Sequence, residues 1–371
     1  MNDKYVFCPN CGTKNSITSK FCINCGNKLP TLDQNSSNSR VSSKEGSSIL
    51  DTTTSKINSW TGGNGAVKVS LKDFFSQVFK HHTQEEAEEI FIVGTKRTTP
   101  SLNELINDKV QPWLFSRALL FTSILAILLW ILSLLNPRVG ITVSLDASLA
   151  VAVPVSALIL FFEVNIYRNI SFYTVIKIAL AGGTLSLIVA MILDTFFGNN
   201  GTFNLSGAVI TGISEEVSKV LVAGYFIYKL KAKHIFNGLL IGAAVGSGFA
   251  AFENIMYMIN DETGQLATIT EALIRSVFSI SDHTEWCAIT AAALVLTKGS
   301  KQLGLDDFLK PTFLKFLISV ILIHTLWDWN IYDGIFKYVI LAIITWLFVF
   351  VLIHAGLREV QELKLRSNKK G

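Results

Sequence analysis

From residue 113 to residue 357, apolar residues come in blocks of about twenty, separated by short polar stretches. A block of about 20 apolar residues in a helix spans the hydrocarbon core of a bilayer. The pattern predicts eight spans, at 115–135, 141–163, 172–197, 206–228, 235–259, 280–298, 312–330 and 335–356. Before the sixth, the stretch from Ala267 to Ser281 is broken by Glu271 and Arg275, which predicts a re-entrant or interfacial helix leading into the span. Residues 67–112 alternate charged and apolar groups, as in Leu71-Lys72-Asp73-Phe74-Phe75 and in Glu85 to Val93. They predict one or two amphipathic helices on the membrane surface or against the bundle. Residues 30–66 are rich in Ser, Thr, Asn and Gly and read as a flexible linker. Residues 358–371 read as a basic cytoplasmic tail. The fold class is an all-α polytopic membrane protein of about eight transmembrane helices, preceded by a small cysteine-rich domain at 1–29.

Composition supports this division. Half of the 371 residues are hydrophobic, and the mean hydropathy is +0.44. Met1 to Pro30 lacks the apolar core of a cleavable signal peptide, so the internal helices are expected to direct insertion. The net charge of +4 is small and fits juxtamembrane positive charge, with no nucleic-acid partner expected. The basic groups alternate between loops. One side carries Lys96, Arg97, Lys109 and Arg117, then Arg168, then Lys229, Lys231 and Lys233, then Lys298, Lys301 and Lys310. The tail adds Lys364, Arg366, Lys369 and Lys370, whereas the opposite loops hold Arg138, then no basic group in 198–205, then Asp261 and Glu262, then Asp333. By the positive-inside rule both termini are cytoplasmic.

The N-terminal cysteines form a pair of Cys-x2-Cys units, Cys8 with Cys11 and Cys22 with Cys25, ten residues apart. Gly12 and Gly26 permit the tight turn after each unit. Four thiolates complete a closed tetrahedral zinc shell, so this metal is structural. A cytoplasmic location disfavours the alternative of two disulfides. About thirty residues are too few to fold without the ion, and the expected use of the domain is contact with an unidentified protein partner. Cys287, within a span, reads as a small buried residue.

Charge inside the spans is the candidate chemistry. Glu215 and Glu216 stand side by side in the middle of the fourth span. A charged side chain near the bilayer centre costs roughly 2.5–3.5 kcal/mol on insertion scales, so it points to a functional site facing the bundle interior. Lys219 shares a helical face with Glu215, and Ala208 and Gly212 continue that face. On the fifth span Gly242, Gly246, Phe249 and Glu253 form a similar stripe, with Asn254 adjacent. His283 opens the sixth span, and the seventh carries His324 and Asp328 four apart. Glu215 lies roughly 14 Å along its helix from the outer end. Glu253, His283, His324 and Asp328 also fall toward the outer ends of their spans, so the groups converge at one depth. His81, His82, His234 and His354 read as bystanders and Glu163 and Asp194 as span-end charges, while Asp282 and Glu285, for which a charge at the outer interface is an equal reading, are left outside the core site.

In order, Glu215-Glu216-x-x-Lys219, Phe249-x-x-x-Glu253, His283 and His324-x-x-x-Asp328 resemble the motifs of the PrsW family of intramembrane proteases, related to the CAAX-processing (type II) prenyl endopeptidases. The resemblance covers roughly residues 113–357, and members with a short N-terminal zinc ribbon occur. His283 lacks the Pro/Gly context of the third motif. The resemblance implies hydrolysis of a peptide bond of a membrane-anchored protein in the outer half of the bilayer, with an anti-sigma-like factor as the analogous substrate. The expected catalytic set is Glu215, Glu216, Lys219, Glu253, His283, His324 and Asp328. Glu215 is expected as general base, with Glu216 or Glu253 as its partner. Lys219 keeps one carboxylate charged, His283 and His324 serve the oxyanion or the leaving amine, and Asp328 orients His324. Two His and one or two Glu also make a credible zinc set, but no His-Glu-x-x-His signature is present, and the metal-free glutamic version is favoured. Two other classes compete. A transporter or channel would use the same groups as a proton relay, though no internal repeat of spans is evident. A non-catalytic scaffold would work through its zinc ribbon.

Overall fold

The computed structural model describes residues 5–7, 14–16, 19, 22–24, 49–95, 97–105, 109–136, 138–199, 201–202, 204–259, 269–331 and 334–368. The chain divides into two compact units, Met1–Ser47 and Ser48–Gly371.

In the first unit, β1 (Tyr5–Phe7) pairs antiparallel with β2 (Lys14–Ser16), Tyr5 opposite Ser16 and Phe7 opposite Lys14. Cys22 is buried, and its sulfur accepts from Asn15 Nδ2 at 3.7 Å and from the Asn24 N–H at 3.4 Å. Cys8, Cys11 and Cys25 lie outside the described residues.

The second unit is helical. It opens with α1 (Ile49–Trp60), α2 (Leu71–Phe74) and α3 (Gln84–Phe91). The long helices are α4 (Leu114–Leu135), α5 (Val139–Val164), α6 (Phe172–Phe197), α7 (Leu205–Leu230) and α8 (Ile235–Ile259). They are followed by α9 (Ile269–Phe278), α10 (His283–Lys298), α11 (Pro311–Asp328) and α12 (Ile335–Asn368). Among the described residues, six helices are long and apolar enough to cross a membrane: α4, α5, α6, α8, α11 and α12. The two other expected spans fall short for physical reasons. The middle of α7 carries Glu215, Glu216 and Lys219, and α10 has only 16 residues. The stretch expected to lead into the sixth span is the separate helix α9, so α10 begins at His283 rather than at residue 280.

The bundle is built around α8, 89 % of whose most apolar window is buried, whereas the same figure for α4 is 6 %. Small residues on α8 allow this. A Cβ on Gly248 would run into the backbone of α6 at Ala179, and one on Gly246 into the carbonyl of His283, so both neighbours approach closer than any side chain permits. Helix α4 leans on α5 and is capped by it: the Glu163 carboxylate accepts the N–H groups of Trp113, Leu114 and Phe115 at 2.8–2.9 Å. These would otherwise be orphan donors of the first turn.

Two boundaries differ from expectation. Residues 49–66 are not linker: α1 docks through Trp60 on Phe316 and Phe348, with ring centroids 5.5 and 5.9 Å apart, and Asn58 bonds the Gly65 carbonyl at 3.0 Å. Ile57 and Trp60 supply enough apolar surface to hold a polar-rich segment in place. The basic tail continues α12 to Asn368, and Glu359 there bonds His234 Nδ1 at 3.1 Å and caps α8 at the Ile235 N–H at 3.0 Å. Within 67–112 the short helices α2 and α3 lie against the bundle. Phe74 meets Phe350 at 5.1 Å and Phe91 meets Phe172 at 4.6 Å.

Glu163→Ala is expected to lower the stability of the bundle by about 1.5–3 kcal/mol, the scale of hydrogen bonds to a charged group, with a smaller loss for Glu163→Gln. Thermal unfolding in detergent measures it, and an unchanged midpoint for the alanine variant would discount the cap.

Candidate active site

Four helices bring the expected polar residues together. Lys219 on α7 is fully buried, and its Nζ lies 2.8 Å from Glu216 Oε1, 3.4 Å from Glu215 Oε2 and 2.6 Å from His283 Nδ1. The Phe249 ring closes the remaining side, 4.3 Å away. An ammonium only donates, so His283 Nδ1 accepts, and the ring proton sits on Nε2, which donates to Glu253 Oε2 at 2.7 Å. Across the cluster His324 is held at both nitrogens, Nδ1 by Glu216 Oε1 at 2.8 Å and Nε2 by Asp328 Oδ2 at 3.2 Å. Glu215 Oε2 lies between the two rings, 3.6 Å from His283 Nδ1 and 3.7 Å from His324 Nε2.

These seven residues do not share one exposure. A cavity of about 540 Å³ is lined by Glu215, Glu253, His283, His324 and Asp328. Glu216 and Lys219 lie behind its wall, both fully buried. Glu216 Oε2 has no partner among the described residues. The cavity extends to Gly201 and Thr202, between α6 and α7, and to Ile335 and Tyr338 at the start of α12. All five lining groups thus lie toward the N-terminal end of α7, in keeping with the common depth read from the spans.

Local sequence explains the placement. Gly246 lets α10 start against α8, which sets His283 beside Glu253. Asp282 accepts the Thr284 N–H at 3.4 Å, and Glu285 Oε2 accepts the Asp282 N–H at 3.3 Å, a reciprocal cap. Asp282 and Glu285 are therefore buried (7 % and 0 % exposed), not interfacial charges, because a helix beginning inside the bundle must satisfy its first N–H groups internally. The Asp-x-x-Glu spacing before an apolar run was the available signal. Trp286 was also missed: fully buried, it touches the rings of both His283 and His324, with centroids 5.3 and 4.6 Å away. Arg275, half-buried, lines the cavity stacked on Tyr257 at 4.0 Å. The other histidines lie elsewhere: His82 stacks on Trp113, His234 stacks on Tyr167, and His81 and His354 are exposed.

The donor set also fits a metal ion. One ligand atom each from Glu215, His283 and His324 lies within 4.8 Å of the other two, all three residues being buried. Glu253 and Glu216 back the two rings as carboxylates typically back metal-binding histidines. An ion held by His283 Nδ1 requires the Lys219 ammonium to turn away from that nitrogen.

A polytopic helical membrane protein with acidic, imidazole and ammonium groups gathered in an internal cavity defines the class. Residues 171–354 match the PrsW family intramembrane metalloprotease, and residues 7–29 match a zinc-ribbon domain. Protease PrsW of Halalkalibacterium halodurans is 25% identical over 183 residues, 48% of this chain and 80% of that protein. No solved structure matches. The chain is a PrsW-family intramembrane protease with an N-terminal zinc ribbon. The matched stretch runs from the start of α6 into α12 and contains every residue of the cluster, while α4 and α5 precede it.

Cys8→Ser in the full chain should lower bound zinc by about one ion per chain and make the first unit sensitive to protease, leaving the helical unit intact. Elemental analysis with limited proteolysis checks this. Unchanged zinc would remove Cys8 from the shell.

Proposed function

We propose that the cavity containing Glu215 is the active site and that Glu215 is the general base. Among the described residues it is the one carboxylate that faces both the cavity and the two histidines, and that observation carries the assignment. Glu215 takes a proton from water as the water oxygen adds to the scissile carbonyl carbon. The carbon–nitrogen bond then breaks, and the leaving amine takes a proton. His324 suits the proton donor, since carboxylates at both nitrogens only accept and the ring can donate from either. His283, on the facing wall, suits support of the oxyanion through its Nε2–H, which must turn from Glu253 to the substrate because Nδ1 accepts from Lys219. Glu216 and Lys219 are positioning residues: they hold His324, Glu215 and His283 from behind the wall.

The glutamic version without metal is favoured because the centre of the cluster already contains a cation, the Lys219 ammonium, touching three of the groups. In the metal version Glu215, His283 and His324 hold the ion, which would supply Lewis acidity to the carbonyl and a more acidic water. The substrate is a membrane-anchored protein cut in the half of the bilayer reached from the 198–205 loop. The loop charges support the reading that this half is the outer one and that both termini are cytoplasmic. Release of a membrane-tethered regulator, by analogy with an anti-sigma factor, is the corresponding cellular role.

Glu215→Gln should lower proteolysis by about 10²–10⁴-fold, the usual contribution of a general base. Comparison of protein N-termini in membranes of wild-type and Glu215→Gln cells reads it through loss of cleaved single-span proteins. An identical set of termini in both would sink the assignment. The catalytic type has its own readout. With Cys8→Ser and Cys22→Ser silencing the ribbon, the metal version leaves about one ion per chain that disappears in His324→Ala, and the glutamic version leaves none.

A further inference from the structure

Helix α9 and the turn that follows it, Ser279–Ser281, stand between two cavities. Ile274, Arg275, Phe278 and Ser279 line the polar cavity, whereas Leu273, Ser276, Val277 and Ile280 line a second cleft of about 610 Å³. The opposite wall of this cleft is made by α4 and α5, which precede the family match. Along α4 the cleft runs from Phe115 to Trp130, roughly 22 Å at 1.5 Å per residue and most of the hydrocarbon thickness. It is open to its surroundings, since Ile127, Val277 and Ile280 in its lining are 52%, 63% and 53% exposed. On α5, Ala152, Ser156 and Ala157 give it a shallow wall, against which a helix backbone can approach closely.

Beside three serines, the lining holds one ionisable group. Glu285 reaches the cleft from α10, fully buried, and its Oε1 has no partner among the described residues, while Oε2 is used in the cap of α10. A buried carboxyl oxygen without a partner is costly, and the occupant of the cleft is the natural source of one. Lipid acyl chains carry no donor. A membrane-spanning peptide does, through Asn, Gln, Ser or Thr side chains or through backbone N–H groups where its helix loosens.

We propose that the cleft between α4–α5 and α9 docks the membrane-spanning segment of the substrate, and that Glu285 recognises a hydrogen-bond donor on that segment. The inference rests on reading the chain as a protease of membrane-anchored proteins. A segment seated there lies against the outer face of α9, and the stretch that leaves the cleft passes beside the cavity holding Glu215.

The test uses the full chain carrying Glu215→Gln, so that docking is scored without cleavage, in phosphatidylcholine vesicles. A photo-crosslinking residue replaces Val153 in the cleft wall. The probes are two synthetic membrane-spanning peptides, a poly-leucine helix and the same helix with one central asparagine. The asparagine peptide should be captured about three- to tenfold more, the range of an interhelical hydrogen bond in a bilayer. Glu285→Leu should remove that preference, Glu285→Gln, which keeps an acceptor oxygen, should retain it, and Ala157→Phe, which fills the cleft, should lower capture of both peptides. Equal capture of the two peptides by the chain with Glu285 intact, or adducts with lipid alone, overturns the proposal. Should Glu285→Leu fail to fold, the two-peptide comparison and Ala157→Phe still decide. A failed protease reading looks different: cellular N-termini stay unchanged while the asparagine preference persists.

Discussion

A lysine ammonium sealed among three helices is the contact on which the site depends. Lys219 has three protons to donate and finds Glu216, Glu215 and His283, with an aromatic face on its remaining side. Removing a charge of this kind from a buried set leaves its partners uncompensated, which costs several times more than a surface pair is worth. The stabilisation is therefore less informative than the geometry. Since α7 carries the lysine, α8 the ring below it and α10 the histidine beside it, only one register of the three helices satisfies the ammonium. The same contact fixes the tautomer of His283 and hence which nitrogen is left for Glu253.

That register would be unreachable with ordinary helix spacing. Gly246 removes the side chain that would otherwise hold α10 away, and Gly248 does the same toward α6. The close approach lets α10 begin inside the bundle, at the level of the cavity, and creates a second requirement. A helix start away from water must satisfy its own N–H groups, and Asp282 and Glu285 do so.

Much of this was legible in the sequence, for identifiable reasons. Spacing of four on a helix puts Lys219 beside Glu215 and Asp328 beside His324, because helical periodicity alone determines those pairs. Convergence of separate helices at one depth followed from counting residues between loops. What spacing cannot reveal is which side of a wall a residue occupies. Glu215 and Glu216 are adjacent in sequence, yet one lines the cavity and the other backs His324, since neighbours on a helix point about 100° apart. Composition misled at α1, where Ser and Thr outnumber apolar residues but Ile57 and Trp60 suffice to dock it. It misled again at Glu285, where a charge near a span end suggested water and the capping geometry required burial.

Hydrolysis inside a bilayer needs two reactants that arrive from different media. The polar cavity reaches residues of the loop between α6 and α7, a route open to water, while the apolar cleft is bordered by residues exposed at the level of the lipid. Helix α9 lies between them with one face toward each. A peptide bond within an intact transmembrane helix is shielded by its own hydrogen bonds, so it must leave the helix before water can add to it. A cleft that holds the helical part and a neighbouring cavity that accepts only the loosened end would divide those two requirements. The partition also accounts for the composition of α9, whose Arg275 would be misplaced in a helix surrounded by lipid but is in keeping with one that has a wet side.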